Sequence, residues 1–395
     1  MNIYEREIIN ILKSSLENPD KKYIVNKEID IENLFSEARE HCIDGTIYYY
    51  INKDNLKLNN KELILNMVTQ NQINRNVDDI LNCLGKENIK IILLKGIVLS
   101  SYYPNREIRS MGDVDILVRD EDYPKVREFF IKHGFNEDSG HHDIHKEFSL
   151  NRFINFEVHW NLINPKFYKI DTDKFLKDIW DNSKVYLNEN LRCIDANNNI
   201  IYLLLHMLIH IKYSGFGLRQ FYDLALFLDK EKDNIDYNYI IEKSKYYNID
   251  FFVVYMFNAI NRVLIEVVPK EIVDLYNISD ENIDLLINNI LLSGVHGRKN
   301  EIKGYENVMR YGQDIYTKRL PQKIFRVYFP HRDSLGDEYR YTLKHPITTP
   351  YGLIHYAFKK GVIKEYGFKG SLINLKKALK IRKIRVSLIK EMKIV

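Results

Sequence analysis

The stretch LLKGIVLSSYYPNREIRSMGDVDILV, from Leu93 to Val118, is the most informative part of the sequence about the architecture of the chain. It joins an apolar run to a second apolar run that carries two carboxylates, Asp113 and Asp115. Side chains of a strand alternate between its two faces, so both carboxylates are predicted to project from the same face. Two like charges side by side are costly unless a cation lies between them. The pattern therefore indicates a strand that binds cations.

The two halves of this stretch predict a strand, a turn with a helix, and a second strand. IKIILL, at residues 89–94, is a short β-branched run typical of a buried strand. Lys95 and Gly96 then turn the chain into IVLSSYY, which we expect to be helical. DVDILV, at 113–118, is the second predicted strand.

Two further patterns complete a small sheet. The helical periodicity of residues 121–133 ends at Gly134. Two alternating runs follow, HKEFSL at 145–150 and INFEVHWNL at 154–162, and we expect them to pair through a turn at 151–155. The order of elements predicts an α+β fold, a small mixed sheet with helices on one side.

Helical patterns flank this core. A single apolar stripe at spacings of three and four comprises Ile73, Val77, Ile80, Leu81 and Leu84. Helical spacing also continues from Asp171 to about Leu292, and the proline-containing segment 311–351 is predicted to be an irregular crossing. We divide the chain into an N-terminal helical segment at 1–87, a small α/β core at 88–165, a helical domain at 166–358 that closes over the site, and a basic tail at 359–395.

Composition limits the function classes. The chain has 395 residues, of which 45% are hydrophobic, so it can bury a core and is not a disordered protein. Its formal charge is +4, but residues 359–395 contain 12 basic and 2 acidic residues, which leaves −6 for the remainder. This tail could contact nucleic acid, an anionic membrane or an acidic partner, or it could be a solvated helix with a basic face.

Cysteine spacing and hydropathy favour a soluble cytoplasmic protein. The three cysteines are far apart, which suggests neither a disulfide framework nor a zinc knuckle. The start, MNIYEREIIN, carries acids where a signal peptide has a basic run. Apolar segments such as IIYLLLHMLIHI are shorter than the roughly 20 residues that cross a bilayer, so we expect no transmembrane segment.

Three carboxylates form the predicted metal site. Two from one strand face and a third from a neighbouring strand supply the hard oxygen ligands that a pair of Mg²⁺ ions requires. Glu157, in NFEVHW, is the expected third after Asp113 and Asp115. The site would hold two Mg²⁺ ions, with Mn²⁺ as a substitute, and would orient a triphosphate toward an acceptor hydroxyl.

The Lys-Gly turn supplies the predicted phosphate site. A glycine turn at a helix start exposes backbone N–H groups, to which Lys95 and Arg109 add positive charge around Gly96. Asp-x-Asp alone also occurs by chance in an acidic surface strand. The order of Lys-Gly, helix, Asp-Val-Asp and a later glutamate is what favours the catalytic interpretation.

Taken together, these motifs resemble the polymerase-β-like nucleotidyltransferase superfamily. More narrowly, LLKG, YYP, DVDILV and FEVHW, with LRQFYDLA and HPITTPYGLIHYAFKKG further on, are similar to a bacterial family of uncharacterised nucleotidyltransferases, over about residues 60–365. The resemblance implies transfer of a nucleoside monophosphate from ATP or another NTP to a hydroxyl, with release of pyrophosphate. It also implies that Glu157 acts as general base. The acceptor stays open: a small molecule, a peptide or a protein.

The sequence departs from the superfamily at the glycine turn. Lys95-Gly96-Ile97 stands where Gly-Gly or Gly-Ser is usual, and the spacer to Asp113 is longer. Ile97 offers no hydroxyl, which puts the details of triphosphate binding in question.

Several other side chains could lie on the substrate side of the site. His159 shares a strand face with Glu157 and could steady the metal or the acceptor, or it could simply pack beside Trp160. His206 and His210 are four apart, hence on one helix face, either as core histidines or facing substrate.

Two further motifs carry open alternatives. Arg219 and Asp223 could form a helix ion pair, or Arg219 could contact a phosphate or the acceptor. His141, His142 and His145 form HHDIH, which resembles a zinc motif, but no regular period puts all three on one face. We expect a loop near the site there.

Two functional alternatives remain at the sequence level. The basic tail keeps open a toxin-like transferase that acts on tRNA. A catalytically inactive relative could instead bind a nucleotide or a partner, although an inactive protein has no chemical need for all three carboxylates.

Overall fold

The computed structural model describes residues 1–53, 61–140, 143–164, 171–294, 305–309, 319–331, 335 and 337–392. Contacts divide the chain into two compact units. The first comprises Met1–His206 with Arg219–Asn277, and the second comprises Met207–Leu218 with Ile278–Val395.

Helices dominate the first 277 residues. The first begins at an Asn2 cap, whose side chain accepts from the Glu5 backbone N–H while the Glu5 carboxylate accepts from that of Asn2. The helices are α1 (Ile3–Glu17), α2 (Ile31–Glu40), α3 (Asp44–Tyr50), α4 (Lys61–Leu84), α5 (Lys95–Ser100), α6 (Tyr123–Lys132), α7 (Thr172–Asn182), α8 (Ala196–Tyr213), α9 (Leu218–Glu231), α10 (Tyr237–Tyr246), α11 (Asp250–Val263) and α12 (Lys270–Val273).

A mixed sheet lies in the first unit. Its strands are β1 (Ile91–Leu93), β2 (Val114–Leu117), β3 (Asn136–Glu137), β4 (His145–Ser149), β5 (Asn155–His159), β6 (Lys184–Val185) and β7 (Leu191–Cys193). Their order across the sheet is β3-β4-β5-β2-β1-β7-β6. β2 is parallel to β5 and antiparallel to β1, and β1 is parallel to β7.

One face of the sheet is the apolar core. Phe148 on β4 and Phe156 on β5 are fully buried, and both pack against Phe130 of α6, with ring centroids 4.9 and 5.0 Å apart. The predicted apolar face of α4 packs against the same core. Val77, Leu81 and Leu84 are buried in it, and the partly buried Ile73 and Ile80 lie beside them. The opposite face of β2 and β5 is thereby left for polar side chains.

The second unit is helical in its described part. Its elements beyond residue 278 are α13 (Asp280–Ser293), α14 (Glu306–Met309), α15 (Leu320–Tyr328), α16 (Tyr341–Lys344), α17 (Thr349–Lys359) and α18 (Val362–Glu391). α18 contains a break at Gly367, where φ is +66°. Its buried side packs against α13 and α14, so the basic tail is part of a folded core.

The predicted α+β class is confirmed: a mixed sheet is combined with helical regions at both ends. The helical pattern from Asp171 onward was wrong at β6 and β7, which extend the sheet to Cys193. The irregular crossing at 311–351 was wrong in part, since α15 lies within it; residues 311–318 are outside the described residues. The boundaries of the four predicted parts stay predictions.

Of the helices in the described part of the chain, none combines the length and the apolar composition needed to cross a membrane.

Candidate functional site

The polar face of the sheet is centred on two carboxylates in direct register. Asp115 on β2 lies opposite Glu157 on the parallel strand β5. Because direct partners point to the same side of a sheet, the two carboxylates share a face. Val114, Ile116, Phe156 and Val158 alternate with them and enter the core.

Asp113 immediately precedes β2 and is exposed, whereas Asp115 is only 5% exposed. The negative charge of Asp113 contributes to raising the pKa of both Lys95 and Glu157, which reflects its proximity to those groups. The predicted carboxylates therefore form one group, with Asp113 at its solvent side.

A buried histidine bridges the two strand carboxylates. The Nε2 atom of His159 lies 3.0 Å from Asp115 Oδ1 and 3.2 Å from Glu157 Oε2. His159 is 5% exposed. Burial opposes its charging, but hydrogen bonds to Asp115 and Glu157 outweigh this and raise its pKa. His159 thus contacts the predicted site directly, as one of its sequence interpretations proposed.

Lys95 approaches Asp115 from the turn after β1. Its Nζ donates to Asp115 Oδ1 at 3.1 Å and lies 5.7 Å from the ring centroid of Tyr202. The Lys95 backbone has φ +36°, in the left-handed region that is unfavourable for a residue with a side chain. No sequence pattern predicts a role for Tyr202, because it lies 107 residues beyond Lys95 and only the tertiary fold brings the two together.

The two strand carboxylates have opposite pKa shifts. Burial raises the pKa of Glu157 to about 7, with Asp115 and Asp113 adding to the effect and His159 opposing it. Burial would also raise the pKa of Asp115, but Lys95 and His159 outweigh it and hold that pKa well below its usual range. Glu157 therefore titrates near neutral pH, whereas Asp115 is charged there.

The Gly96 turn is held by Arg109, which is 6% exposed. Its Nε and Nη2 donate to the two oxygens of Asp223, each at 2.9 Å, and its Nη1 donates to Gly96 O at 3.4 Å. A Cβ on Gly96 would lie 3.3 Å from that Nη1. Tyr103 also donates to Asp223, at 2.7 Å. In this structure the guanidinium fork is thus directed at Asp223.

The helix ion pair suggested by the spacing of Arg219 and Asp223 was wrong. Asp223 is bound by Arg109, while Arg219 donates from Nη1 to Ser110 O at 2.8 Å, three residues before Asp113. The sequence missed the pairing of Arg109 with Asp223 because the two are 114 residues apart.

The two predicted helical histidines fall in different units. His206 belongs to the first unit, and its charge contributes to lowering the pKa of Asp115. His210 belongs to the second unit, where its Nδ1 lies 3.1 Å from Ser214 Oγ. Their roles toward substrate stay predictions.

His145, the last residue of HHDIH, is the first residue of β4 and pairs directly with His159. Glu147 pairs with Glu157 in the same ladder. The hairpin predicted for residues 145–162 is present as β4 and β5, and its observed register brings the two histidines together. His141 and His142 lie outside the described residues.

The donor set fits a divalent cation. Asp113, Asp115 and Glu157 present carboxylate oxygens, the ligand type that Mg²⁺ prefers. The Lys95 ammonium and the His159 imidazole both lie within hydrogen-bond distance of Asp115 Oδ1. These contacts stabilise Asp115 as an anion, the form in which a carboxylate ligates a cation.

A family model described as uncharacterised nucleotidyltransferase matches residues 27–264, more than half of the chain. The protein therefore belongs to that family of nucleotidyltransferases, and the membership supports a nucleotidyl transfer activity with an NTP as substrate. No curated protein and no solved structure matched the chain.

Proposed function

From this family membership and the carboxylate face of the sheet, we propose that the protein transfers a nucleoside monophosphate from an NTP to a hydroxyl of an acceptor, releasing pyrophosphate. The observation that carries the proposal is the direct register of Asp115 with Glu157, with Asp113 at the solvent side. This is the arrangement expected of a polymerase-β-like transferase, in which carboxylates on two adjoining strands surround the reacting phosphate.

Asp113, Asp115 and Glu157 would hold Mg²⁺, or Mn²⁺ in its place. When bound, these ions would neutralise the charge of the triphosphate and align its α-phosphorus with the acceptor. Their oxygens are hard ligands, and Asp115 is already charged because Lys95 and His159 stabilise its anion.

Glu157 would accept the proton of the acceptor hydroxyl. Burial raises its pKa to about 7, which is close to the value at which a general base is most effective at neutral pH. The acceptor oxygen then bonds to the α-phosphorus, and the bond to the pyrophosphate oxygen breaks. His159, in contact with Glu157 and Asp115, would keep the two carboxylates in place.

Lys95 and Arg109 would act on the phosphates in different ways. Lys95 lies at the edge of the carboxylate group and would neutralise phosphate charge there. Arg109, bound to Asp223 and to Gly96 O, would mainly fix the Gly96 turn whose backbone N–H groups face the phosphates.

The test uses an NTP labelled at its α-phosphate, incubated with Mg²⁺ and a cell extract separated into small-molecule, protein and RNA fractions. We expect label in one fraction with the wild type and none with Asp113→Asn. Asp120→Asn is the matched control, since this exposed carboxylate lies beyond the other end of β2. Labelling by Asp113→Asn at the wild-type rate would refute the proposal; the labelled fraction would identify the acceptor class.

A further inference from the structure

The β4–β5 hairpin brings imidazole groups next to the carboxylates. His145 pairs directly with His159, and Glu147 with Glu157, so all four side chains lie on the polar face of the sheet. The ring centroids of the two histidines are 4.9 Å apart. A pair of magnesium ions bound by carboxylates requires neither imidazole.

Three of these residues converge on one point. His145, Glu157 and His159 each offer a ligand atom, and these atoms all lie within 4.8 Å of one another. His159 Nε2 and Glu157 Oε2 are 3.2 Å apart. Ligand atoms about 2.1 Å from a tetrahedral metal ion are about 3.4 Å from each other, so this pair already has the required spacing. The three ligand atoms lie within 4.8 Å of one another, so His145 would close the site with a movement of about 1.4 Å.

The chemistry of the three ligands selects the class of metal. Two imidazoles and one carboxylate form a nitrogen and oxygen set, whereas Mg²⁺ favours oxygen ligands alone. Zn²⁺ and its neighbours in the first transition row bind such sets, and three protein ligands leave a position for water or a substrate group. The side chain of His145 is 20% exposed and that of Glu157 is 22% exposed, so solvent can reach the ligands.

We propose that His145, Glu157 and His159 form a binding site for a divalent transition-metal ion, with Zn²⁺ as the preferred occupant. Glu147 Oε1, 3.9 Å from His145 Nε2, would orient the imidazole from outside the ligand set. The site shares Glu157 with the proposed nucleotidyltransferase centre but does not include Asp113. It can therefore be tested independently of nucleotidyl transfer.

The experiment compares the full-length wild type with His145→Gln after removal of metal by chelation. Zn²⁺ affinity is measured by calorimetry, and Co²⁺ binding by its visible absorption, which is strong for four-coordinate sites with nitrogen ligands. We expect one tight Zn²⁺ site in the wild type, at least about tenfold weaker in His145→Gln. His133→Gln is the matched control, because His133 is an exposed histidine directly after α6 whose Nδ1 lies 2.8 Å from Phe129 O of that helix.

Equal Zn²⁺ affinity in His145→Gln and His133→Gln would overturn the proposal. So would a wild type that binds Zn²⁺ no more tightly than Mg²⁺. Asp113→Asn separates the two centres: it should lose Mg²⁺-dependent NTP binding and keep the Zn²⁺ site. If His145→Gln does not fold, spin-echo spectroscopy of the wild type loaded with one equivalent of Cu²⁺ decides, since coupling to two imidazole nitrogens supports the site and the absence of imidazole coupling overturns it.

Discussion

At the scale of single residues, the site depends on how buried charges are shared among Asp115, Glu157, His159 and Lys95. Asp115 is stabilised as an anion, so its contribution to stability is present above the usual carboxyl pKa and is lost in acid. Glu157 behaves in the opposite sense, because its pKa in the folded chain is about 7 and its ordinary value is 4.5. The stability that protonated Glu157 contributes is fully present at pH values below its ordinary pKa and is lost as the pH rises through 7.

The change in the free energy of unfolding caused by Glu157→Gln should therefore be more favourable at pH 8 than at pH 5, because the substitution removes a buried negative charge only at the higher pH. The gain is expected to be about 1–3 kcal/mol, since one pKa unit corresponds to about 1.4 kcal/mol. Denaturant unfolding at both pH values in the presence of a chelator measures it. Glu189→Gln, at a highly exposed glutamate, is the control and should change little. An effect of Glu157→Gln that is identical at pH 5 and pH 8 would contradict the assigned pKa.

Removing one partner of the buried Arg109–Asp223 pair should lower the free energy of unfolding. Asp223→Asn leaves the guanidinium without its carboxylate, and a broken buried pair typically costs about 3–5 kcal/mol. Urea unfolding measures the loss. Asp229→Asn, on the same helix but in a long 3.8 Å pair with the exposed Lys232, should change stability by no more than about 0.5 kcal/mol. Equal effects of the two substitutions would show that the pair does not support the fold.

At the scale of elements, the approach of α3 to the chain before β2 fixes the loop that leads to Asp113. A Cβ on Gly45 of α3 would lie 2.6 Å from the backbone oxygen of Ile108, a contact that no side chain can relieve. Gly45→Ala should therefore displace this loop, lowering the unfolding temperature and weakening Mg²⁺-dependent NTP binding together. Gly112→Ala, where a Cβ meets nothing within 4 Å, is the stability control. An unchanged unfolding temperature in Gly45→Ala would contradict the close packing.

Elements with a local period were predictable from the sequence, and pairings distant in the chain were not. The α4 stripe and the existence of the β4–β5 hairpin follow from spacing, whereas the register that pairs His145 with His159 comes from the structure. β6 and β7 have two and three residues, too few to show an alternating pattern, and β7 is a strand because β1 lies beside it. The pairing of Arg109 with Asp223 likewise depends on tertiary packing that no spacing encodes.

At the scale of the whole molecule, the basic C-terminal segment is both a charged surface and a structural element. α18 buries Ala378, Ile381, Leu388 and Ile389, together with the fully buried Arg385. Arg385 donates to Ser214 O, Met309 O and Ser293 Oγ. Deleting residues 359–395 therefore removes part of a core as well as positive charge.

We expect deletion of 359–395 to unfold the described part of the second unit, whereas reversing three exposed charges should not. The charge variant is Lys376→Glu, Lys380→Glu and Lys383→Glu combined. Circular dichroism and limited proteolysis distinguish the two outcomes. A deletion variant that unfolds cooperatively at the wild-type temperature would contradict the structural role of α18. The charge variant is consequently the appropriate protein for testing salt-sensitive RNA binding.

We propose that Asp113, Asp115 and Glu157 bind an NTP together with Mg²⁺. The most direct test is the thermal stabilisation of the purified protein by ATP, GTP, CTP or UTP, with and without Mg²⁺, in wild type, Asp113→Asn/Asp115→Asn and Asp120→Asn. We predict a rise in unfolding temperature with at least one NTP that requires Mg²⁺ and is retained only by wild type and Asp120→Asn. If the double variant is stabilised as much as the wild type, these carboxylates do not form the NTP site. If no NTP stabilises the wild type, the chain does not bind an NTP in the way proposed.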